Sequence, residues 1–243
     1  MNNIRFSHVS RFAFVAGVAI VASSAFAGDI SANYSYYTGI TNVNFMTDFG
    51  SVVAHNGQGT TQFYGNRTGG SDTLVPNNFP AYCVEIGETL GQGGNYHPNV
   101  FNLLGSSTNG GGISGPVLFD ATRTMNLECL WGTFFPLIGG NGTLSAAFQL
   151  AQWELTFDND VTLVGATGAR FWVDGSQFQA GITDVAESWL TDIRNGSATT
   201  KQKMALLTGP GIQDIITPVP EPASFLALGL GGAMVALRRR KKA

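Results

Sequence analysis

Two apolar stretches at the ends of the chain, each short for a membrane-spanning helix, confine the part that can fold to residues 28–218. At the start, Arg5 and Arg11 precede the run Phe12 to Ala22, and small residues then lead to Ala25-Phe26-Ala27. A basic region, a short hydrophobic run and an A-x-A tripeptide describe a secretory signal peptide over residues 1–27, cut after Ala27. Spanning a bilayer takes about 20 apolar residues, so removal is expected here rather than anchoring. The mature chain is then expected to open at Gly28.

At the other end, Thr217-Pro218-Val219-Pro220-Glu221-Pro222 leads into the apolar stretch Ala223 to Leu237 and the cations Arg238 to Lys242. The prolines stop any helix from running back into the preceding chain. A helix over Ala223 to Leu237 reaches roughly 22 Å against a hydrocarbon core of roughly 30 Å, which makes it a marginal anchor. Gly229, Gly231 and Gly232 weaken it further. The terminal cations stay on the cytoplasmic side, which puts residues 28–218 outside the inner membrane.

Val219-Pro220-Glu221-Pro222, the apolar segment and the basic cluster, in that order, resemble the PEP-CTERM sorting signal of Gram-negative bacteria. The resemblance implies recognition by an exosortase, an integral membrane enzyme that cuts near the Pro-Glu-Pro. It also implies an inner-membrane intermediate held by a C-terminal helix within residues 219–243, then passage to the cell surface or the extracellular matrix. The resemblance also implies a bacterium of the kind that often produces exopolysaccharide, with a place for the protein in a biofilm matrix.

Between the two signals lie six Lys and Arg against fifteen Asp and Glu, leaving a net charge of −9 with His neutral. Nucleic-acid binding needs clustered cations, so it is excluded. One ectodomain over residues 28–218 is expected, of α+β class, with a β-rich N-terminal half packed with several helices of the C-terminal half. Alternation at Ala32, Tyr34, Tyr36 and at Thr61, Phe63 predicts strands before Leu90, and Gly91 to Gly115 reads as loop. Pro116 opens a first predicted helix that carries Leu118, Met125 and Cys129 and ends before Pro136; Ser145 to Leu155 forms a second. Ser176 to Gln179 has capping-box spacing, and Phe178, Ile182, Val185, Trp189 and Ile193 continue a third helix to Asn195-Gly196. Met204 to Leu207 predicts a late strand.

Catalytic signatures are missing. His55 and His97 have no His or Cys at ligand spacing, no metal site or cofactor is expected, and no nucleophile elbow or phosphate loop occurs. Glu85 with Glu88, and Asp158 with Asp160, read as solvated surface groups, and an enzyme is not expected.

Two readings of Cys83 and Cys129 stay open. In an oxidising compartment they would close a disulfide, worth about 4 kcal/mol in the chain-entropy model. Alternatively, Tyr82-Cys83-Val84 resembles the aromatic-Cys-aliphatic motif of bacterial thioester domains, and Gln149-Leu150-Ala151-Gln152-Trp153 resembles their Gln-x-Ala-apolar-Trp partner motif. That resemblance implies an internal thioester between Cys83 and Gln149, with Tyr82 and Trp153 packed at the bond. It implies an adhesin that captures surface amines; the disulfide implies a non-covalent envelope or matrix protein that holds, for example, exopolysaccharide. Gln152 departs from the motif, standing where the family has an apolar residue.

Overall fold

The structure is a computed structural model that describes residues 30–37, 39–70, 75–86, 99–102, 119–165, 167–208 and 213–220. The signal-peptide residues Arg5, Arg11, Ala25 and Ala27, together with Glu88, His97, Pro116 and the tail from Glu221, lie outside the described residues.

Nine strands and three α-helices are described: β1 (Ile30–Tyr36), β2 (Thr41–Asp48), β3 (Val52–Thr60), β4 (Phe63–Gly70), β5 (Asn78–Cys83), β6 (Asn99–Asn102), α1 (Ala121–Thr133), α2 (Gly142–Phe157), β7 (Phe171–Trp172), α3 (Thr183–Arg194), β8 (Met204–Thr208) and β9 (Ile215–Pro218). They form a six-stranded sheet in the order β1-β4-β5-β9-β8-β6 and a three-stranded sheet in the order β3-β2-β7. The expected α+β class holds, but the two halves are interleaved rather than segregated. β5 from the first half pairs with β9 from the end of the chain, Tyr82 opposite Ile216 and Cys83 opposite Ile215.

Alternation of side chains gives the larger sheet two buried faces. Tyr82, Met204, Leu206 and Ile216 join the main core under the helices, whereas Ala81, Ala205, Leu207 and Ile215 join a smaller core with Ile30, Ala32, Val75 and Phe79. Gly65 on β4 admits the Phe79 ring so closely that a Cβ there would overlap it.

At the centre of the main core lies α2, whose residues from Ser145 to Phe157 are all buried. It packs on α1, α3, β2, β3 and β7. Asn141 caps its start by accepting from the Thr143 and Leu144 amides at 2.9 and 3.2 Å, and its extent slightly exceeds the predicted Ser145 to Leu155. A helix hidden on every side has no polar face for periodicity to reveal.

Three expectations need correction. Gly91 to Gly115 is not all loop: β6 lies inside it, recruited as an edge strand by antiparallel pairing with β8. The first helix starts at Ala121, where the Asp120 side chain accepts from the Arg123 amide at 2.8 Å. The third starts at Thr183, not at the Ser176 box. Asp174 takes the capping role over Ser176, accepting its amide at 2.8 Å and its hydroxyl at 2.6 Å. The Gln179 carboxamide accepts from the Asn44 amide at 2.9 Å and donates to the Asn42 carbonyl at 3.2 Å, which ties this segment to β2. Phe178 is left exposed. The predicted stop is as expected, with Gly196 at φ +72° and the Ser197 amide returning to the Asp192 carbonyl.

Gly132, near the end of α1, is pressed against the Thr200 backbone, and a Cβ there would overlap the Thr200 carbonyl. Backbone cannot swing aside as a side chain can. Gly132→Ala is expected to lower stability by about 1–3 kcal/mol despite the better helix propensity of alanine, measured by denaturant unfolding.

Candidate functional site

The end of β5 meets the middle of α2 at the backbone carbonyl of Cys83. Gln149 and Gln152, one turn apart on α2, both donate their carboxamide N–H to that oxygen, at 2.9 and 2.7 Å. Both glutamines are buried, at 1 % and 0 % exposure, so each carboxamide needs a partner inside the protein. Trp131 on α1 supplies a second partner to Gln152: its indole Nε1 donates to Gln152 Oε1 at 3.1 Å. Gln152 is therefore clamped at both ends, which accounts for a polar side chain at 0 % exposure inside the core. Gln149 is held to the Cys83 strand by its Nε2.

Aromatic residues close over this junction. Tyr82 packs on Phe148 and Trp131 with ring centroids 4.8 and 5.7 Å away, and Trp131 stacks on Phe135 at 4.7 Å. The Tyr82 hydroxyl pairs with Ser145 Oγ at 2.9 Å, and burial pushes that phenol well above its ordinary pKa. Trp153 has its ring contacts elsewhere, with Phe45 and Phe171 on the second sheet at 5.2 and 6.2 Å. Trp131, far from either motif in the sequence, is the indole at the Cys83 junction. No local signal marks it, because its partner Gln152 lies on another helix.

Cys83 and Cys129 are both free thiols. The residue Cys83 is only half-buried, yet its sulfur sits deep enough that desolvation, and secondarily the charge of Glu85, raise its pKa strongly. Burial likewise raises the Cys129 thiol, with Lys201 opposing. Folding thus favours the neutral thiol at both.

The reading of Glu85 as a solvated group needs correction. Glu85 is 1 % exposed, its carboxylate accepts from the Asp214 amide at 3.2 Å, and its carbonyl accepts from Gln213 Nε2 at 3.2 Å. It ties the Cys83 strand to the chain entering β9. Asp158 is half-buried, and its Oδ2 accepts from the amides of Arg170 and Phe171 at 2.6 and 2.7 Å. With exposed Asp160 and buried Glu154 it forms the carboxylate group that, among the described residues, could hold a metal ion. His55 is a core residue, stacked on Phe45 at 4.8 Å and paired with Thr47 Oγ1 at 2.9 Å.

The Trp131 to Gln152 bond is expected to be strongly non-additive under mutation. Trp131→Phe and Gln152→Leu should each cost about 1–3 kcal/mol or more, since each leaves a buried polar atom without its partner. The double variant should lose less than the sum of the two, measured as a double-mutant cycle by denaturant unfolding.

Comparison with known proteins places one part of the chain. Residues 218–241 match the PEP-CTERM protein-sorting motif, starting at the last residue of β9. No curated protein and no solved structure matches the chain. Among the described residues no helix is long and apolar enough to cross a membrane. The start of the motif is held to the domain: the Val219 amide donates to the Lys203 carbonyl at 2.8 Å, and Gln202 Nε2 donates to the Val219 carbonyl at 2.8 Å. The chain thus carries the PEP-CTERM sorting motif at its C-terminal end, which makes it an exported protein processed by an exosortase at the membrane.

Proposed function

We propose that this protein is a cell-surface adhesin of a Gram-negative bacterium, sorted by exosortase and armed with an internal thioester between Cys83 and Gln149. The observation that carries the reading is the hydrogen bond from Gln149 Nε2 to the Cys83 carbonyl, which brings the acyl partner against the residue bearing the thiol. Both residues come from rigid elements, β5 and α2, so the approach is built into the fold.

Bond formation needs no external reactant. The Cys83 sulfur adds to Gln149 Cδ, the C–N bond breaks, and the thiol proton leaves with the departing nitrogen as ammonia. Burial holds the Cys83 thiol neutral, so its proton has to leave sulfur as the C–S bond forms, and the departing nitrogen is the group that takes it. Gln152, held by Trp131, keeps the Cys83 carbonyl oriented as Gln149 gives up its nitrogen. Tyr82, Phe148 and Trp131 limit water, which would hydrolyse the product.

Opening is the functional event. A surface amine attacks Gln149 Cδ, the C–S bond breaks, an amide joins the two partners, and sulfur recovers a proton as the Cys83 thiol. The reaction is stoichiometric, so the protein acts as a covalent tether rather than an enzyme. The acidic ectodomain, at −9, favours protonated amines near its surface.

Two experiments test this reading. Intact mass of the exported chain should show the loss of one ammonia, and methylamine should restore mass by forming a methylamide on Gln149. Cys83→Ala and Gln149→Ala should each abolish labelling, whereas Cys129→Ala should not. Loss of two hydrogens with a mapped Cys83 to Cys129 disulfide would remove the thioester and leave a non-covalent matrix protein. For the sorting step, deleting residues 220–243 should release the chain from the membrane fraction, and replacing Glu221 should block processing. Normal processing of the Glu221 variant in an exosortase-bearing host would refute that role for the motif.

A further inference from the structure

We infer that Glu154, Asp158 and Asp160 hold a calcium ion at the C-terminal end of α2. One oxygen from each of the three carboxylates lies within 4.8 Å of the other two. Two oxygens bound to one calcium ion at about 2.4 Å are at most about 4.8 Å apart, and all three pairs here meet that bound. The donor set is all oxygen, with no nitrogen or sulfur, which suits a hard cation rather than zinc.

An unsatisfied atom points to the ligand independently. Glu154 is 0 % exposed, and its Oε1 accepts from the Thr162 amide at 3.2 Å, but Oε2 meets no donor among the described residues. Glu154 faces the Asp160 carboxylate, and two carboxylates in contact need a proton or a cation between them.

Arg123 and Arg170 act on the charge of the group from a distance, and neither forms an ion pair with its carboxylates among the described residues. Arg123 spends its donors on the Thr156 carbonyl at 2.6 Å, the Phe157 carbonyl at 3.4 Å and Asn159 Oδ1 at 3.0 Å. The Arg170 guanidinium lies 4.9 Å over the Phe49 ring. The negative end of the α2 dipole adds to the field at Asp158, its C-cap residue. A divalent ion here would offset all of these charges and hold the turn that fastens β7 to α2 through Asp158. It would be independent of the thioester.

The test is thermal unfolding of the full chain purified in mild detergent, with calcium binding followed by equilibrium dialysis. Millimolar Ca2+ should raise Tm by about 3–6 °C and bind at one ion per chain, with EGTA reversing both. Asp160→Asn, at an exposed position, and Glu154→Gln, an isosteric change, should each remove the shift while the variant still unfolds cooperatively. No shift in the parent protein, an equal shift with Mg2+, or a shift that survives in both variants would overturn the assignment.

Discussion

Complete burial of α2 is the constraint on which the rest of the structure depends. A helix with solvent on one side can leave its polar side chains in water, but every residue from Ser145 to Phe157 is enclosed. Each polar group along it must therefore find a partner within the protein, and those partners define its chemistry. Ser145 pairs with Tyr82, Gln149 and Gln152 converge on the Cys83 carbonyl, and Thr156 returns its hydroxyl to the Gln152 carbonyl at 2.7 Å. Trp153 Nε1 and Glu154 Oε2 are exceptions, and Glu154 stands where the acidic turn begins.

The sheet order gives this junction its position in the exported protein. β5, which ends at Cys83, lies beside β9, whose last residue begins the sorting motif. Glu85 strengthens the connection through the Asp214 amide and the Gln213 carboxamide. The candidate site and the start of the sorting motif are consequently joined through adjacent strands. The few cations of the domain are used locally: Lys203 pairs with Glu128 at 2.7 Å, and Arg194 donates to the Val161 carbonyl at 2.6 Å.

Local chemistry made a good part of this legible in the sequence. The Pro-Glu-Pro, apolar run and cations identify the sorting motif because its recognition depends on a contiguous segment. The end of α3 at Asn195-Gly196 was readable because a left-handed helix stop favours glycine, and β8 because its apolar run is short and β-compatible. The hydrogen bond from Gln149 to the Cys83 carbonyl was not legible locally, since nothing in the spacing of the two residues requires contact.

What the sequence determined by itself were the features set within a few residues: the sorting segment, the helical character of Ser145 to Leu155, and the end of the third helix at Asn195-Gly196. Tertiary structure decided the rest. β6 exists because β8 offers an open edge, and α3 starts late because Gly181 takes a φ of +81° just before it, while the Gln179 side chain ties the preceding segment to β2. Trp131 enters the Cys83 junction, and Glu85 and Glu154 become buried acids, only when distant segments remove their water. Burial and long-range hydrogen bonding arise from packing between elements, so no local pattern of residue types can specify them.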